Sequence, residues 1–136
     1  MGMKLSRSTG YAVLAVGYIA QRQGPGVVLS QAIAEAYEIP LEYLLKILQQ
    51  LVRANILRSK RGPRGGFSLA RPTTKITMLE IIEAVDGPMT SRLHLAQHAK
   101  GHKFSAQAEK VYQKAIGQAR NVFSKAKLSA LLGSKK

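Results

Sequence analysis

Two neighbouring stretches decide the fold: Leu41-Glu42-Tyr43-Leu44-Leu45-Lys46-Ile47-Leu48-Gln49-Gln50-Leu51-Val52-Arg53-Ala54, and then Arg58-Ser59-Lys60-Arg61-Gly62-Pro63-Arg64-Gly65-Gly66-Phe67. In the first, Leu41, Leu44, Leu45, Leu48, Leu51 and Val52 recur at helical spacing. Glu42, Lys46, Gln49, Gln50 and Arg53 lie on the other face, so one side enters a core and the other stays polar. In the second, Leu57 and Ser59 alternate with Arg58 and Lys60, and Phe67 and Leu69 alternate with Ser68 and Ala70, around a Gly/Pro-rich tip. That pattern predicts a β-hairpin.

Working outward, residues 30–37 form a short helix that ends at Glu38-Ile39-Pro40, with Ser30 placed to cap it. Two helices joined by a short turn, the second amphipathic, read as a helix-turn-helix, and a basic hairpin directly after it reads as a wing. Residues 8–23 form an earlier helix on Tyr11, Leu14, Ala15, Tyr18 and Ile19, ended by Gly24-Pro25-Gly26. Val27-Val28-Leu29 forms either a short strand or a packed turn. After the wing, Thr77-Met78-Leu79-Glu80 is a capping box, and Met78, Leu79, Ile81, Ile82 and Val85 make the apolar face of a helix stopped by Asp86-Gly87-Pro88. Residues 105–126 carry Ala108, Tyr112, Ala115, Ala119, Val122 and Ala126 at heptad-like spacing, widened by Val111, Ile116 and Phe123. The expected fold is mainly α with a small β-hairpin wing. Residues 3–88 form the winged helix-turn-helix domain, 89–104 a sensor-like loop, and 105–132 a dimerisation helix with a C-terminal turn.

Charge says what such a domain meets. The 136 residues hold 21 Lys+Arg against 7 Asp+Glu, a formal charge of +14. No acidic residue falls between Tyr43 and Leu79. Such an excess opposes compaction and points to a polyanion, nucleic acid first and an acidic membrane surface second. A hydrophobic content of 46% excludes a disordered tail. Lys4 and Arg7 ahead of residues 11–20 loosely resemble a signal peptide, but Gly17, two tyrosines and helical periodicity favour a core helix. Gly2 to Ser6 fits the myristoylation pattern, although Met1-Gly2 reads more simply as an addition before a native Met3. A cytoplasmic, nucleoid-associated protein without membrane contact is expected.

The residue types suit base and phosphate contact. A helix fits the major groove, where Glu42 can accept from cytosine N4, Lys46 can donate to guanine, and Gln49 or Gln50 can pair with adenine or a phosphate. Tyr43 can meet a phosphate or a thymine methyl. An arginine on a narrow tip can enter a minor groove, deepest in A·T-rich sequence. The candidate double-stranded-DNA set is therefore Ser30, Glu42, Tyr43, Lys46, Gln49, Gln50, Arg53, Lys60, Arg61, Gly62, Arg64 and Gly65. The candidate homodimer seam is Ala108, Tyr112, Ala115, Ala119 and Val122, an alanine-rich line that lets two helices approach closely. Two other readings stay open. One is a sequence-tolerant architectural nucleic-acid binder. The other is a histidine-based metal sensor or enzyme using His94, His98 and His102, which share a face at i, i+4, i+8 if helical. No metal is predicted there, because Gly101 weakens the helix and no acid lies near in sequence. No phosphate-binding loop, nucleophile elbow or paired carboxylate marks an enzyme. With no cysteine, a thiolate-held iron–sulfur cluster is impossible, and no cofactor is predicted.

These residues resemble a known family, the Rrf-type (IscR-, NsrR- and CymR-like) winged helix-turn-helix transcriptional regulators. The matching stretches are Met3-Lys4-Leu5-Ser6 with Tyr11-Ala12, Ile39-Pro40-Leu41-Glu42-Tyr43-Leu44, Arg61-Gly62-Pro63-Arg64-Gly65-Gly66-Phe67, Ile81-Ile82-Glu83-Ala84-Val85-Asp86-Gly87-Pro88 and Lys127-Leu128-Ser129-Ala130-Leu131-Leu132. The resemblance implies a homodimer, most simply a repressor, on a pseudo-palindromic operator. It places base reading at Glu42, Tyr43, Leu45 and Lys46 and the minor-groove arginine at Arg61. Leu45 departs from the polar residue common in cluster-binding members, so their target sequence does not carry over. Many members hold an iron–sulfur cluster with three cysteines, and those positions fall here between His94 and about Ala106. The resemblance therefore implies a cysteine-free member that answers to an unknown small-molecule or protein effector, to its histidines, or to no signal at all.

Overall fold

Small residues set the position of the first helix. The computed structural model describes residues 6–22, 24, 26–62, 65–89 and 102–133. Helix α1, Arg7–Arg22, buries Thr9, Ala12, Ala15, Val16 and Ile19. The periodicity had put Tyr11, Leu14 and Tyr18 inward with Ala15 and Ile19. Instead the tyrosines are half-buried and Leu14 is exposed. Ala12 and Ala15 face inward because α1 packs closely on the two helices that flank it, and bulky side chains would hold those helices apart.

Helix α2, Ser30–Tyr37, and helix α3, Leu41–Arg53, are joined by a turn at Glu38, whose φ of 55° lies in the left-handed region. The amides of Glu38 and Ile39 both donate to the Ala34 carbonyl, and Ile39 drops into the core. Two expectations need correction here. Ser30 does not cap α2. It is the first helical residue, the capping position is Leu29, and no side chain bonds there. Leu41 is exposed, and Ile47 joins Leu44, Leu48 and Leu51 in the buried stripe of α3. Ile47 belongs to that stripe because the core surrounds the helix on more than one side, through α1, α2 and the next helix.

Strands β1, Leu57–Lys60, and β2, Gly66–Leu69, pair antiparallel with Leu57 opposite Leu69 and Lys60 opposite Gly66. Val28 resolves as an isolated β-bridge to Phe67, with both backbone hydrogen bonds at 2.8 Å. This bridge ties the wing to the link between α1 and α2. A Cβ on Gly66 would stand 2.5 Å from the Val28 carbonyl oxygen. Backbone cannot retreat from such a contact without losing the bridge. Gly66→Ala should therefore cost about 1–3 kcal/mol in urea unfolding. Gly10→Ala, at an exposed position of α1 where a Cβ meets nothing, should stabilise by up to about 1 kcal/mol. Equal effects at the two positions would contradict this account of the wing.

A short 3₁₀ turn, Thr73–Lys75, leads to helix α4, Met78–Asp86. The expected capping box is present in full: Thr77 Oγ1 accepts from the Glu80 amide at 3.2 Å, and Glu80 Oε1 accepts from the Thr77 amide at 3.0 Å. Glu80 also pairs with Arg71 at 3.0 Å, and Arg71 donates to the carbonyls of Asn55 and Lys75. Helix α5, Lys103–Lys125, starts two residues before the expected boundary, and α6, Leu128–Leu132, follows it. Most of the buried side chains form one core beneath α1 to α4 and the wing, which Leu128 enters from α6. Leu79, Met89 and Ile116 form a second, smaller cluster under α5. No helix among the described residues is long and apolar enough to cross a membrane.

Candidate nucleic-acid interface

The polar face of α3 is open. Glu42, Lys46, Gln49 and Arg53 are exposed and Gln50 is half-buried. The buried residues of α3 all lie on its other side, so the two faces separate as the spacing requires. On the wing, Lys60, Arg61 and Gly62 are exposed and Gly65 is half-buried. Gly62 has a φ of 103°, and a Cβ on Gly65 would stand 2.2 Å from the Lys60 carbonyl, so this tip cannot be built with side chains at both positions. Arg64 lies outside the described residues.

Six of the twelve candidates meet around one open groove of about 320 Å³: Ser30, Gln49, Lys60, Arg61, Gly62 and Gly65. The start of α2 forms one wall, α3 contributes Gln49, and the wing closes the other side. Leu29, Gln31 and Ser59 also line it and were missed in the sequence. The signal that could have found them was Val27-Val28-Leu29 read as a strand. The bridge at Val28 is what swings the α2 start against the wing. Lys60 and Arg61 in its lining give the groove two cations, the side-chain type that meets phosphates.

Tyr43 sits differently from the other candidates. It is half-buried, its hydroxyl hydrogen-bonds the Ser8 hydroxyl, and its ring meets Tyr11 edge-on at 5.7 Å. Three of the seven acids, Glu80, Glu83 and Asp86, are engaged away from this surface. Glu83 accepts from Arg120 and from the Met89 amide, both at 2.8 Å, and so holds α5 on α4. Asp86 accepts from the Ser6 hydroxyl at 2.7 Å. Burial alone would raise its carboxyl pKa, but hydrogen bonds from the Ser6 and Thr9 hydroxyls and the Ser6 amide hold it below the ordinary value.

Along α5 the candidate seam divides. Tyr112 packs partly buried with Phe123 against Leu79, Met89 and Ile116 of its own chain. Ala108 and Ala119 are half-buried, while Ala115 and Val122 are exposed. The open line is Phe104, Val111, Ala115 and Val122, about a quarter turn round the helix from the packed one. Phe104 is 84% exposed and Val111 70%. Phe104 was missed because it lies one residue before the expected helix start.

The histidine reading falls mostly outside the described residues. His102 is exposed at the N-cap of α5, and His94 and His98 lie outside the described residues. Among the described residues no three His, Cys, Asp or Glu side chains converge as metal ligands.

This architecture is that of a winged-helix DNA-binding regulator, and the comparisons agree. The family model for Rrf2, described as an iron-dependent transcriptional regulator, matches residues 5–133. The chain belongs to the Rrf2 family. It is 34% identical over 109 residues to the HTH-type transcriptional regulator IscR of Cereibacter sphaeroides, covering 79% of this chain and 70% of that protein. A curated HTH-type relative from Mycobacterium tuberculosis is 37% identical over 89 residues, and the chain spans 55% of its length. Among solved structures, IscR of T. potens is 29% identical with a TM-score of 0.76, covering 97% of this chain and 88% of that one. CymR of B. subtilis, the global cysteine regulator, shares the fold at 21% identity and a TM-score of 0.83, covering 98% and 99%. The family description names iron, yet these 136 residues contain no cysteine. The donor chemistry present does not fit a cysteine-held cluster.

Proposed function

We propose that this protein is a sequence-specific DNA-binding transcriptional regulator, a repressor that acts as a homodimer on a pseudo-palindromic operator. Helix α3 enters the major groove with Glu42, Lys46 and Gln49, and the wing carries Arg61 to the adjacent minor groove. The observation that carries this reading is the groove in which α2, α3 and the wing converge beneath Lys60 and Arg61. The open apolar line on α5 supports the dimer, since an exposed stripe of this kind marks an association surface. The protein is proposed to work in the cytoplasm, without enzymatic activity, and to take its signal from something other than a cysteine-held cluster.

Protection mapping on genomic fragments tests the proposal. Two protected half-sites, centred about one helical turn or a multiple of it apart, are expected. Uniform coverage without a discrete site would favour a sequence-tolerant architectural binder instead. Arg61→Ala should weaken the specific site by about 1–3 kcal/mol, roughly 5- to 150-fold, and should matter most where the flank is A·T-rich. An unchanged affinity in a titration on that fragment would remove Arg61 from the interface.

A further inference from the structure

The first turn of the recognition helix follows the buried Ile39 but has no side-chain cap of its own. Pro40 occupies the capping position of α3 and no side chain bonds there. Leu41 is exposed, and the buried residues begin at Leu44. Yet this turn carries Glu42, and Lys46 lies just beyond it. Tyr43 makes the lateral connection. Its hydroxyl is hydrogen-bonded to Ser8, in the first turn of α1, and its ring stands edge-on to Tyr11 at an interplanar angle of 81°.

The anchor on α1 is itself held from a third element. The Ser6 hydroxyl donates to Asp86 Oδ1 at 2.7 Å, the Ser6 amide to Oδ2 at 3.3 Å, and the Thr9 amide to Ser6 Oγ at 3.1 Å. Thr9 is buried, and Asp86 is the last residue of α4. The start of α1 is therefore braced against the end of α4 on one side and against the start of α3 on the other.

We propose that Ser8 and Tyr43 are a positioning pair for sequence recognition. Their hydroxyl contact fixes the angle at which the first turn of α3 presents Glu42 and Lys46, and it does so without Tyr43 itself reading the DNA. The inference rests on the DNA-binding reading above. Because the contact lies between two helices already packed on a common core, its loss should alter aim more than stability.

The test uses the full chain, its protected fragment and a scrambled fragment of the same length and composition. Tyr43→Phe keeps the ring and removes the hydroxyl, and Ser8→Ala removes the partner. Each should weaken binding to the protected fragment about threefold to tenfold, the range expected for one hydrogen bond. Binding to the scrambled fragment should stay unchanged at the same salt. The double variant should be no weaker than either single one, because both remove the same contact. Ser8→Thr should restore the wild-type ratio of the two affinities. If Tyr43→Phe weakens binding and Ser8→Ala does not, the tyrosine contacts DNA directly and the proposal is overturned. Equal losses on both fragments, or no loss in either single variant, would also overturn it. A wild-type protein that does not distinguish the two fragments would overturn the sequence-specific reading and this inference with it. That outcome is separable, because it shows before any variant is made.

Discussion

Raising monovalent salt from about 50 to about 200 mM should lower the affinity of the dimer for its DNA by about 10³–10⁵-fold. The size of this effect follows from which cations are left for DNA. Arg71 is engaged by Glu80 and two backbone carbonyls, and Arg120 by Glu83. Lys46, Arg53, Lys60 and Arg61 are exposed on the recognition helix and wing. About four such cations per protomer would neutralise about eight phosphates per dimer, a log–log slope near −7. Fluorescence anisotropy across a salt series measures that slope directly. A slope near −1 or −2 would mean that these side chains do not approach the duplex, and the docking proposed here would be wrong. Much of the +14 charge lies outside this face, so the slope distinguishes interface cations from background charge.

Replacing Leu128 by alanine should destabilise the protein by about 2–5 kcal/mol. Leu128 is 3% exposed and belongs to the main core, although it follows the long α5. The chain returns to that core through a small antiparallel pairing. The Leu128 amide donates to the Ile76 carbonyl and the Met78 amide to the Ala126 carbonyl, both at 2.8 Å. Thr77 and Lys127 form the bridge between them. Removing the side chain leaves a cavity where the C-terminal segment meets Ile76 and Ile81. Against a usual domain stability of about 5–15 kcal/mol the loss is large, roughly 8–20 °C in Tm. Leu131→Ala is the control, since Leu131 is half-exposed and should change stability by less than about 0.5–1 kcal/mol. Both variants should be unfolded in urea at one protein concentration, because dimerisation would otherwise shift the midpoint. An effect at Leu128 no larger than that at Leu131 would contradict the packing described.

How far the sequence could be read depended on whether a feature was local. The extent of α3, the Thr77–Glu80 capping box and the hairpin with its glycines are each carried by a few adjacent residues and formed as expected, whereas the α3 stripe gained Ile47 and lost Leu41. The errors came where two distant segments meet. Ala12 turns inward in place of Tyr11, Leu14 and Tyr18 because of helices that α1 does not itself encode. Ser30 lacks a capping bond because the helix already begins at Ser30 and Leu29 takes the capping position. The long helix gave one broad apolar pattern, and sequence alone could not divide it between the side packed on α4 and the side left open. Tyr112 was therefore grouped with Val122, although the first packs inside its own chain and the second faces outward. Of the candidate interface, the residue types were legible and their assembly only partly so. Lys60 and Arg61 stand out by type, whereas Gln31 and Ser59 join them only through the tertiary pairing.

The Val28–Phe67 bridge bears on target choice as well as on folding. By fastening the wing to the strand-like link ahead of α2, it makes the recognition helix and the arginine-bearing tip two jaws of one caliper. On the proposed docking, the protein rather than the DNA sets the distance between the major-groove reading and the minor-groove contact. An operator with one base pair inserted between those two contacts must then twist or stretch to be gripped by both, and flexible steps would tolerate this better than stiff ones. Two hydrogen bonds far from any base would in that way write a spacing rule into the operator.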